Sequence, residues 1–264
     1  MKTSGEFSLF KHFRRLLLRL IPEVLSVSLL IAGWHLISRT IPSFLLPSPL
    51  STFQETYKTL FSYEFAHNAV LTLKRSLAGF LVAFAVAHIL IFSSVYSDTL
   101  KNFWKPIVLL GLSIPATIGI FVTVVMLGSR GPIALIVVII ILTPLLFLML
   151  QPTYIGINKK LTEMSKIYRL PTLVFLRYVI IPQIAPSYMS AIRAGINDAW
   201  KLTILAEVFS FGDGVGHQIL TYFNLFSIKQ VLAWFISFLA ILVIFEYGVF
   251  QSLEKLLIPN LKKV

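Results

Sequence analysis

The chain has 264 residues, of which 57% are hydrophobic and only 13% are charged, and its mean hydropathy is +0.85. Soluble domains have about 25% charged residues, so this composition excludes a soluble globular domain and predicts an all-α integral membrane protein. The net charge of +12 would suit a nucleic-acid-binding protein, but the basic residues are distributed as in a membrane protein, and the lack of cysteine excludes disulfides and thiol chemistry.

The N-terminal 20 residues are basic and apolar, above all in Phe7–Leu20. No small-residue cleavage site follows them, so we predict that residues 1–20 form a retained cytoplasmic amphipathic segment rather than a signal peptide. Residues 21–264 then form one transmembrane domain. It contains six mostly apolar runs, each long enough to cross about 30 Å of hydrocarbon as a helix. The runs are Ile21–Ile41, Ala69–Tyr96, Pro106–Leu127, Pro132–Leu150, Ile184–Phe209 and Val231–Phe250.

The distribution of Lys and Arg predicts the topology, because cytoplasmic segments of membrane proteins are enriched in these residues. With a cytoplasmic N-terminus, most basic residues fall on cytoplasmic segments. The exceptions on the outer segments are Arg39, Lys58, Arg130 and Lys229. Both termini are therefore predicted to be cytoplasmic.

An outer loop at Pro42–Leu50 follows the first span, and its three prolines favour an extended chain. Ser51 is a candidate N-cap for a short amphipathic helix that reaches about Leu60. Phe53, Tyr57 and Leu60 share one stripe of that helix.

A second outer loop, Phe211–His217, carries glycine at 212, 214 and 216. Its GDGVG sequence is only a weak match to a phosphate-binding loop, because no strand precedes it and no Lys-Ser/Thr pair follows. We expect this loop to be a flexible connector.

A polar and basic island, Lys159–Pro182, interrupts the apolar spans. Asn158 is a candidate N-cap for a helix over Lys159–Arg169. Pro171 disfavours helix at the preceding residue, so the island is predicted to be a helix, a break and a second helix over Thr172–Ile181. The first helix places Leu161, Met164 and Tyr168 on an apolar face, with Glu163 and Lys166 among its polar residues.

The island resembles the cytoplasmic loop of permease subunits of ABC importers, which reads E-A-A, three residues, G, nine residues, I, one residue, L-P. Glu163, Met164 and Ser165 stand at the E-A-A positions, Val179 at the Ile position, and Ile181–Pro182 at the final pair, without a gap. Arg169 stands where the family has glycine. Pro171 offers another source for the chain reversal at this point.

Shorter segments are similar to the nitrate/sulfonate/taurine branch of these permeases. They include LPSP at residues 46–49, LKRSLAGF at residues 73–80, Ser113-Ile114-Pro115, and Ala206-Glu207. Each segment alone is unspecific, but together they follow the branch's order from about residue 30 onward.

The resemblance implies how such a protein works. The coupling loop as a whole covers about residues 157–182, and its first helix would sit in a groove of a separate cytoplasmic ATPase. That ATPase binds the ATP, so the chain itself is expected to need no cofactor. Further implied partners are an extracytoplasmic solute-binding protein and a second copy of the permease in a prokaryotic cytoplasmic membrane. The alternative is a helix that lies on lipid headgroups. The residues expected to couple to the ATPase are Leu161, Glu163, Met164, Ser165, Lys166, Tyr168 and Arg169.

The predicted fifth span carries charges that need partners or water inside a membrane. Arg193, Asn197 and Trp200 share one helical face, which we interpret as facing the path of a small polar or anionic solute. The alternative is that Arg193 is neutralised by Glu246 and that Asp198 pairs with Lys201.

Three small residues in the same span, Ala191, Gly195 and Ala199, lie nearly opposite the charged face and favour close helix packing. In the second span, Lys74 and Arg75 are expected to extend toward headgroups. His67 and His88 lack partners at metal-ligand spacing, so we expect both to be structural.

Neither a catalytic residue nor a metal site is predicted, because the chain has no Walker-type phosphate loop and no nucleophile with a base at a readable spacing. Two other functions stay open: a secondary transporter driven by an ion gradient, and a membrane scaffold that recruits a cytoplasmic protein. The absence of an inverted repeat argues against the first.

Overall fold

The computed structural model describes residues 21–22, 24–128, 132–210 and 212–250, and every regular element in these ranges is helical. The predicted N-terminal segment 1–20, residues 129–131 and the C-terminal residues 251–264 lie outside them. The helices are α1 (Val24–Ile37), α2 (Pro49–Leu60), α3 (Tyr63–Tyr96), α4 (Asp98–Ser113), α5 (Ala116–Leu127), α6 (Ile133–Ile155), α7 (Lys159–Ile167), α8 (Thr172–Phe175), α9 (Ile181–Val208), α10 (Val215–Asn224) and α11 (Ile228–Phe245), with π-helical turns at Leu176–Ile180 and Glu246–Phe250.

Three of the described helices are long and apolar enough to cross a bilayer: α3, α6 and α11 with its extension to Gly248. A fourth crossing is possible through the pair α4 and α5. Helix α9 has 28 residues and is therefore about 42 Å long, but it carries four charged side chains. The described part of α1, Val24–Ile37, is shorter than the predicted run Ile21–Ile41.

The predicted third span, Pro106–Leu127, is wrong as one straight helix. Helices α4 and α5 meet there at an angle of 97°. The break falls at Ile114, whose extended backbone (φ −77°, ψ 120°) is the conformation favoured before a proline, and Pro115 has no N–H to continue the helical ladder. Pro106, by contrast, is accommodated inside α4.

The core lies where α3, α6 and α9 pack together. The small-residue stripe of α9 makes this contact, as predicted: Ala191, Gly195 and Ala199 are all buried. A Cβ on Gly195 would lie 2.8 Å from the ring of Phe80 on α3. Close approach of backbones is therefore what the stripe provides.

Helix α2 differs from its prediction in both its cap and its packed face. Ser48, rather than Ser51, is the N-cap, and it accepts from the Ser51 N–H. The buried residues are Pro49 and three threonines, and the carbonyl of Thr56 accepts from Ser237 of α11 at 3.3 Å. Phe53 and Tyr57 are exposed instead. The aromatic stripe thus points away from the bundle, because the threonine face packs on α11, where Ser237 donates to the Thr56 carbonyl.

Candidate functional site

The N-terminus of α7 is capped as the sequence predicts. The Asn158 side chain accepts hydrogen bonds from the backbone N–H groups of Lys160 at 2.9 Å and Leu161 at 3.4 Å. These groups have no partner within the helix, so the cap fixes where α7 begins. The helix ends at Ile167, two residues before the predicted end at Arg169.

The C-terminus of α7 closes in a Schellman motif centred on Arg169. The N–H of Leu170 donates to the carbonyl of Ser165 at 3.0 Å, and the N–H of Arg169 donates to the carbonyl of Lys166 at 3.1 Å. This geometry requires a left-handed residue, and Arg169 has φ +49°. Position 169, where the resembled loop has glycine, therefore requires the left-handed backbone conformation. Arg169 adopts it and makes the chain reversal, whereas Pro171 is the N-cap of the short helix α8.

The apolar residues of α7 point away from the rest of the described chain. Leu161 and Met164 are exposed, and Tyr168 is 73% exposed. Two neighbours that sequence reasoning did not select are still more exposed: Ile167 at 78% and Leu173 at 80%. Their signal was available, since both are large apolar residues in a polar island. The result is an apolar surface on which none of the described residues packs.

The polar residues of α7 divide between that surface and the protein interior. Glu163, Lys166 and Arg169 are exposed beside the apolar residues. Ser165 is 5% exposed, and its hydroxyl donates to the carbonyl of Thr162 at 2.6 Å. Ser165 therefore lies on the face of α7 turned toward the protein, where only a small side chain fits.

Gln183 links α7 to α9. Its carbonyl oxygen accepts from the Asn158 N–H at 2.8 Å, and its amide nitrogen donates to the carbonyl of Val179 at 2.6 Å. Pro182 lies at the start of α9 inside a continuous helical path, which the π-helical turn Leu176–Ile180 makes possible. The sequence did not reveal this bridge, because Gln183 has no local pattern that distinguishes it.

The charged residues of α9 are paired. Arg193 forms an ion pair with Glu246 through its Nε, and Lys201 Nζ lies 3.0 Å from Asp198 Oδ1. These are the two ion pairs that the sequence analysis gave as the alternative to a charged face that lines the solute path. The Arg193–Glu246 pair joins α9 to the π-helical end of α11.

A cavity of about 520 Å³ opens between α9, α10 and α11 next to this pair. Asn197 and Trp200 both line it, so two of the three predicted path residues share one cavity, and Arg193 is bound to Glu246 on its wall. Trp200 is 5% exposed and meets Phe238 and Phe245 edge to face.

At the opposite end of α9, the buried carboxylate of Glu207 caps α10 together with α3. The N–H of Gly216 donates to Glu207 Oε2 at 3.1 Å, and the N–H of Val215 donates to the Thr72 hydroxyl at 2.9 Å. The N–H of Gly214 donates to Asn68 Oδ1 at 2.8 Å. Helix α10 has no capping side chain of its own, so distant residues supply all three acceptors.

Two predictions about this region are wrong. Arg75 does not extend toward headgroups: its Nη1 donates to Glu207 Oε1 at 3.0 Å and to the Asp213 carbonyl at 2.8 Å, and its Nη2 pairs with the Asp213 carboxylate. The described part of the glycine-rich loop is not a free connector either, because these contacts hold it. Lys74 is exposed, and His88 is structural, with Nε2 2.7 Å from the Tyr188 hydroxyl.

The sequence matches a known protein family over most of its length. Residues 24–263 match the family model of the binding-protein-dependent transport system inner membrane component. The chain is also similar to a probable ABC transporter permease protein of Brucella melitensis, with 22% identity over 197 residues that cover 75% of this chain and 80% of the relative. A probable ABC transporter permease protein of Brucella abortus has the same identity over 75% of this chain and 78% of its own length.

The fold and the match together define a multi-pass membrane protein of the ABC transport class. The chain belongs to the family of binding-protein-dependent transport system inner membrane components. It is accordingly a membrane permease subunit of an ABC transporter. The family is located in the prokaryotic inner membrane, associates with an ATPase and usually with a substrate-binding protein, and is generally non-enzymatic.

Proposed function

We propose that this permease subunit works in an importer. It moves a small polar or anionic solute, of the sulfonate, nitrate, taurine, bicarbonate or vitamin-precursor class, that an external solute-binding protein delivers. A separate ATPase drives the alternation between inward-open and outward-open states. The observation that carries the proposal is α7: a capped helix with an uncovered apolar surface, bonded directly to the start of α9.

In this proposal the apolar surface of α7 docks on the ATPase. Large exposed apolar side chains outside a membrane span mark an interaction surface. Leu161, Met164 and Tyr168 would fill a groove of the ATPase, with Ile167 beside them. Glu163, Lys166 and Arg169 would set the register at the rim, and Ser165 would hold α7 against its own bundle.

Movement of α7 would reach the spans through α9. The Gln183 bridge ties the first residues of α7 to the first turns of α9. Since α9 is about 42 Å long, a displacement at α7 is carried along one rigid element to the cavity and to the Glu207 cap. Arg193, Asn197 and Trp200 would then line the path that this movement opens and closes.

The assembly that we propose contains two copies of the permease, two ATPase subunits and one binding protein, with both permease termini in the cytoplasm. The order of segments similar to the nitrate/sulfonate/taurine branch supports the importer direction. The basic charge around α7 supports a cytoplasmic location for this helix. The six apolar runs of the sequence support six spans, with α4 and α5 together forming the third.

The test is reconstitution of the chain with the ATPase and binding protein that it purifies with. The paired change Leu161→Asp with Glu163→Lys is expected to abolish binding of the ATPase while leaving membrane insertion intact. The matched control is Leu100→Asp with Asp98→Lys, the same pair of changes at the same spacing on exposed residues of α4. Equal ATPase binding by both variants would contradict the docking role of α7.

The same reconstitution separates the two other functions. ATP-dependent uptake with the ATPase present supports the importer. Uptake that follows an ion gradient without the ATPase would indicate a secondary transporter, and stable partner binding without uptake would indicate a scaffold.

A further inference from the structure

We infer that His88, Tyr188 and Tyr154 form a proton-sensitive clamp at the base of the coupling loop. The clamp holds both ends of the loop to α3 while His88 is neutral and releases them when His88 takes up a proton. The inference rests on the proposed function, in which movement of the coupling loop drives transport. Acidification of the cytoplasm would then uncouple the ATPase from the spans.

The two tyrosines lie where the coupling loop joins the bundle. Tyr154 is near the end of α6, four residues before Asn158, the N-cap of α7. Tyr188 is near the start of α9, five residues after Gln183. The hydroxyl groups of Tyr154 and Tyr188 form a hydrogen bond with each other. Together with the bond from the Asn158 N–H to Gln183, this contact ties the two ends of the loop to each other twice.

His88 attaches this pair of tyrosines to α3. Its Nε2 lies 2.7 Å from the Tyr188 hydroxyl oxygen, across 100 residues of sequence. Its Nδ1 lies 2.7 Å from the carbonyl oxygen of Phe84, one helical turn earlier. The ring of Phe84 packs on the imidazole with centroids 4.3 Å apart, and Phe92 packs on Tyr154 edge to face. The clamp therefore joins α3, α9 and α6 inside a cluster of aromatic rings.

The Phe84 carbonyl sets the direction of every hydrogen bond in the clamp. A carbonyl oxygen only accepts, so Nδ1 of His88 carries a hydrogen and donates it. In a neutral imidazole the other nitrogen is then an acceptor, and Nε2 accepts from the Tyr188 hydroxyl. The Tyr188 oxygen in turn accepts from Tyr154. A neutral His88 thus gives every donor of the clamp an acceptor.

A protonated His88 does not fit the same chain, because both of its ring nitrogens are then donors. Nε2 would donate to the Tyr188 oxygen, and one of the two tyrosine hydroxyl hydrogens would be left without an acceptor. Within the described residues, the two hydroxyls bond only to each other and to His88. A partly buried donor without a partner costs free energy. The clamp is therefore favoured when His88 is neutral and weakens as the pH falls.

The groups that face His88 leave a proton on it uncompensated. The titratable side chains in contact with it are Tyr188 from α9 and Tyr154 from α6. In the part of the chain that the structure describes, no carboxylate forms an ion pair with it. Histidine is the residue whose charge ordinarily changes between about pH 5 and pH 8. The clamp would accordingly respond within the range of cytoplasmic pH.

The first experiment tests the clamp without the ATPase. The full chain, with isotope-labelled histidine, is studied by NMR in lipid nanodiscs, and the His88 signals are identified by their loss in His88→Gln. At the upper end of the range from about pH 8 to about pH 5 we expect a ring with hydrogen on Nδ1 and none on Nε2, which becomes protonated on both nitrogens at the lower end. The opposite neutral tautomer, or a ring that does not titrate, would overturn the inference.

The second experiment measures coupling as the factor by which the co-purified binding protein stimulates ATP hydrolysis by the reconstituted complex. We expect this factor to fall about tenfold in the wild-type complex between about pH 8 and about pH 5. His88→Gln keeps a neutral acceptor near the position of Nε2 and takes up no proton, so its stimulation should stay high at both pH values. His67→Gln, at an exposed histidine of the same helix, is the matched control and should follow wild type.

Tyr188→Phe interrupts the clamp in the middle and is expected to give low stimulation at both pH values. Tyr154→Phe removes only the last hydroxyl, and its expected loss at neutral pH tests the clamp even where Tyr188→Phe does not insert. A pH profile of His88→Gln that matches wild type, or wild-type stimulation in both tyrosine variants, would overturn the inference. If the binding protein stimulates no ATP hydrolysis at any pH, the proposed function fails, and the NMR signature still decides whether the clamp exists.

Discussion

The hydroxyl of Thr72 on α3 lies 2.9 Å from Oε2 and 3.1 Å from Oε1 of Glu207 on α9, across 135 residues of sequence. The same hydroxyl accepts from the Val215 N–H, so it donates its proton to the carboxylate. Both side chains are essentially inaccessible to solvent. Thr72 and Glu207 thereby join three helices, α3, α9 and α10.

Replacing Glu207 by glutamine is expected to lower the melting temperature of the protein. Both carboxylate oxygens accept hydrogen bonds, from Thr72, Arg75 and Gly216, and the amide of glutamine would oppose one of these donors with a donor of its own. A buried polar group left without a partner costs about 1–3 kcal/mol. Thermal unfolding in detergent measures the effect.

The control for that substitution is Asp213→Asn, which weakens the ion pair between Arg75 and the half-exposed Asp213 and leaves Glu207 unchanged. An exposed ion pair contributes about 0–1 kcal/mol, so this variant should unfold close to wild type. Equal losses in the two variants would contradict the assignment of Glu207 as the centre of the cap.

Alanine at Gly214 or Gly216 is expected to destabilise the protein, while alanine at Gly212 is not. A Cβ at Gly214 would lie 2.3 Å from Glu207 Cδ, and one at Gly216 would lie 2.2 Å from the Ile204 carbonyl oxygen. Gly214 also has φ +110°, whereas a Cβ at Gly212 meets nothing within 4 Å. Overpacking of this kind costs about 1–3 kcal/mol.

These three variants share one measurement, thermal unfolding, and Gly212→Ala serves as the matched control for chain entropy and expression. If Gly214→Ala and Gly216→Ala melt at the wild-type temperature, the loop is not held as described, and its original interpretation as a flexible connector would be restored.

Glycine at position 169 is expected to stabilise α7, because the left-handed conformation costs a non-glycine residue about 1–2 kcal/mol and glycine nothing comparable. Hydrogen exchange of the α7 amides should slow in Arg169→Gly. Lys166→Gly is the control, since glycine within the helix destabilises it by about 1 kcal/mol relative to alanine. Faster exchange in Arg169→Gly would refute the C-cap assignment.

Gln183→Leu is expected to loosen α7 from α9, since the Asn158 N–H and the Val179 carbonyl both lose their partner. Gln183→Glu keeps the acceptor for Asn158 and should have a smaller effect. The measurement is ATP hydrolysis by the reconstituted complex together with hydrogen exchange at Asn158. Unchanged exchange in Gln183→Leu would show that the bridge does not hold α7.

Much of the local structure was predictable because its causes are local. Asn158 sits directly before the α7 residues that it caps, and Pro171 marks where the chain leaves the first helix. The sequence offered two roles for Arg193, facing the solute path or pairing with Glu246, and the second was considered because a charge inside a membrane needs a partner. The structure contains this ion pair. The packing role of Gly195 followed from its place among other small residues.

The rest depended on neighbours that are distant in sequence. Apolar residues continue on both sides of Ile114, so the pattern of hydrophobicity did not show the 97° bend between α4 and α5. The Thr52 and Thr56 face of α2 is buried because it packs on α11, a helix distant in sequence, which no pattern within α2 reveals.

The sequence by itself determined that this is a helical membrane protein, where its basic island lies, and which transport family it belongs to, because apolar run length, charge and motif spacing are properties of the chain alone. The tertiary structure decided what Arg75, Thr72 and Glu207 do and which residues share the cavity of α9 and α11. Buried polar groups must find partners, and only the folded arrangement of helices determines which partners are within reach.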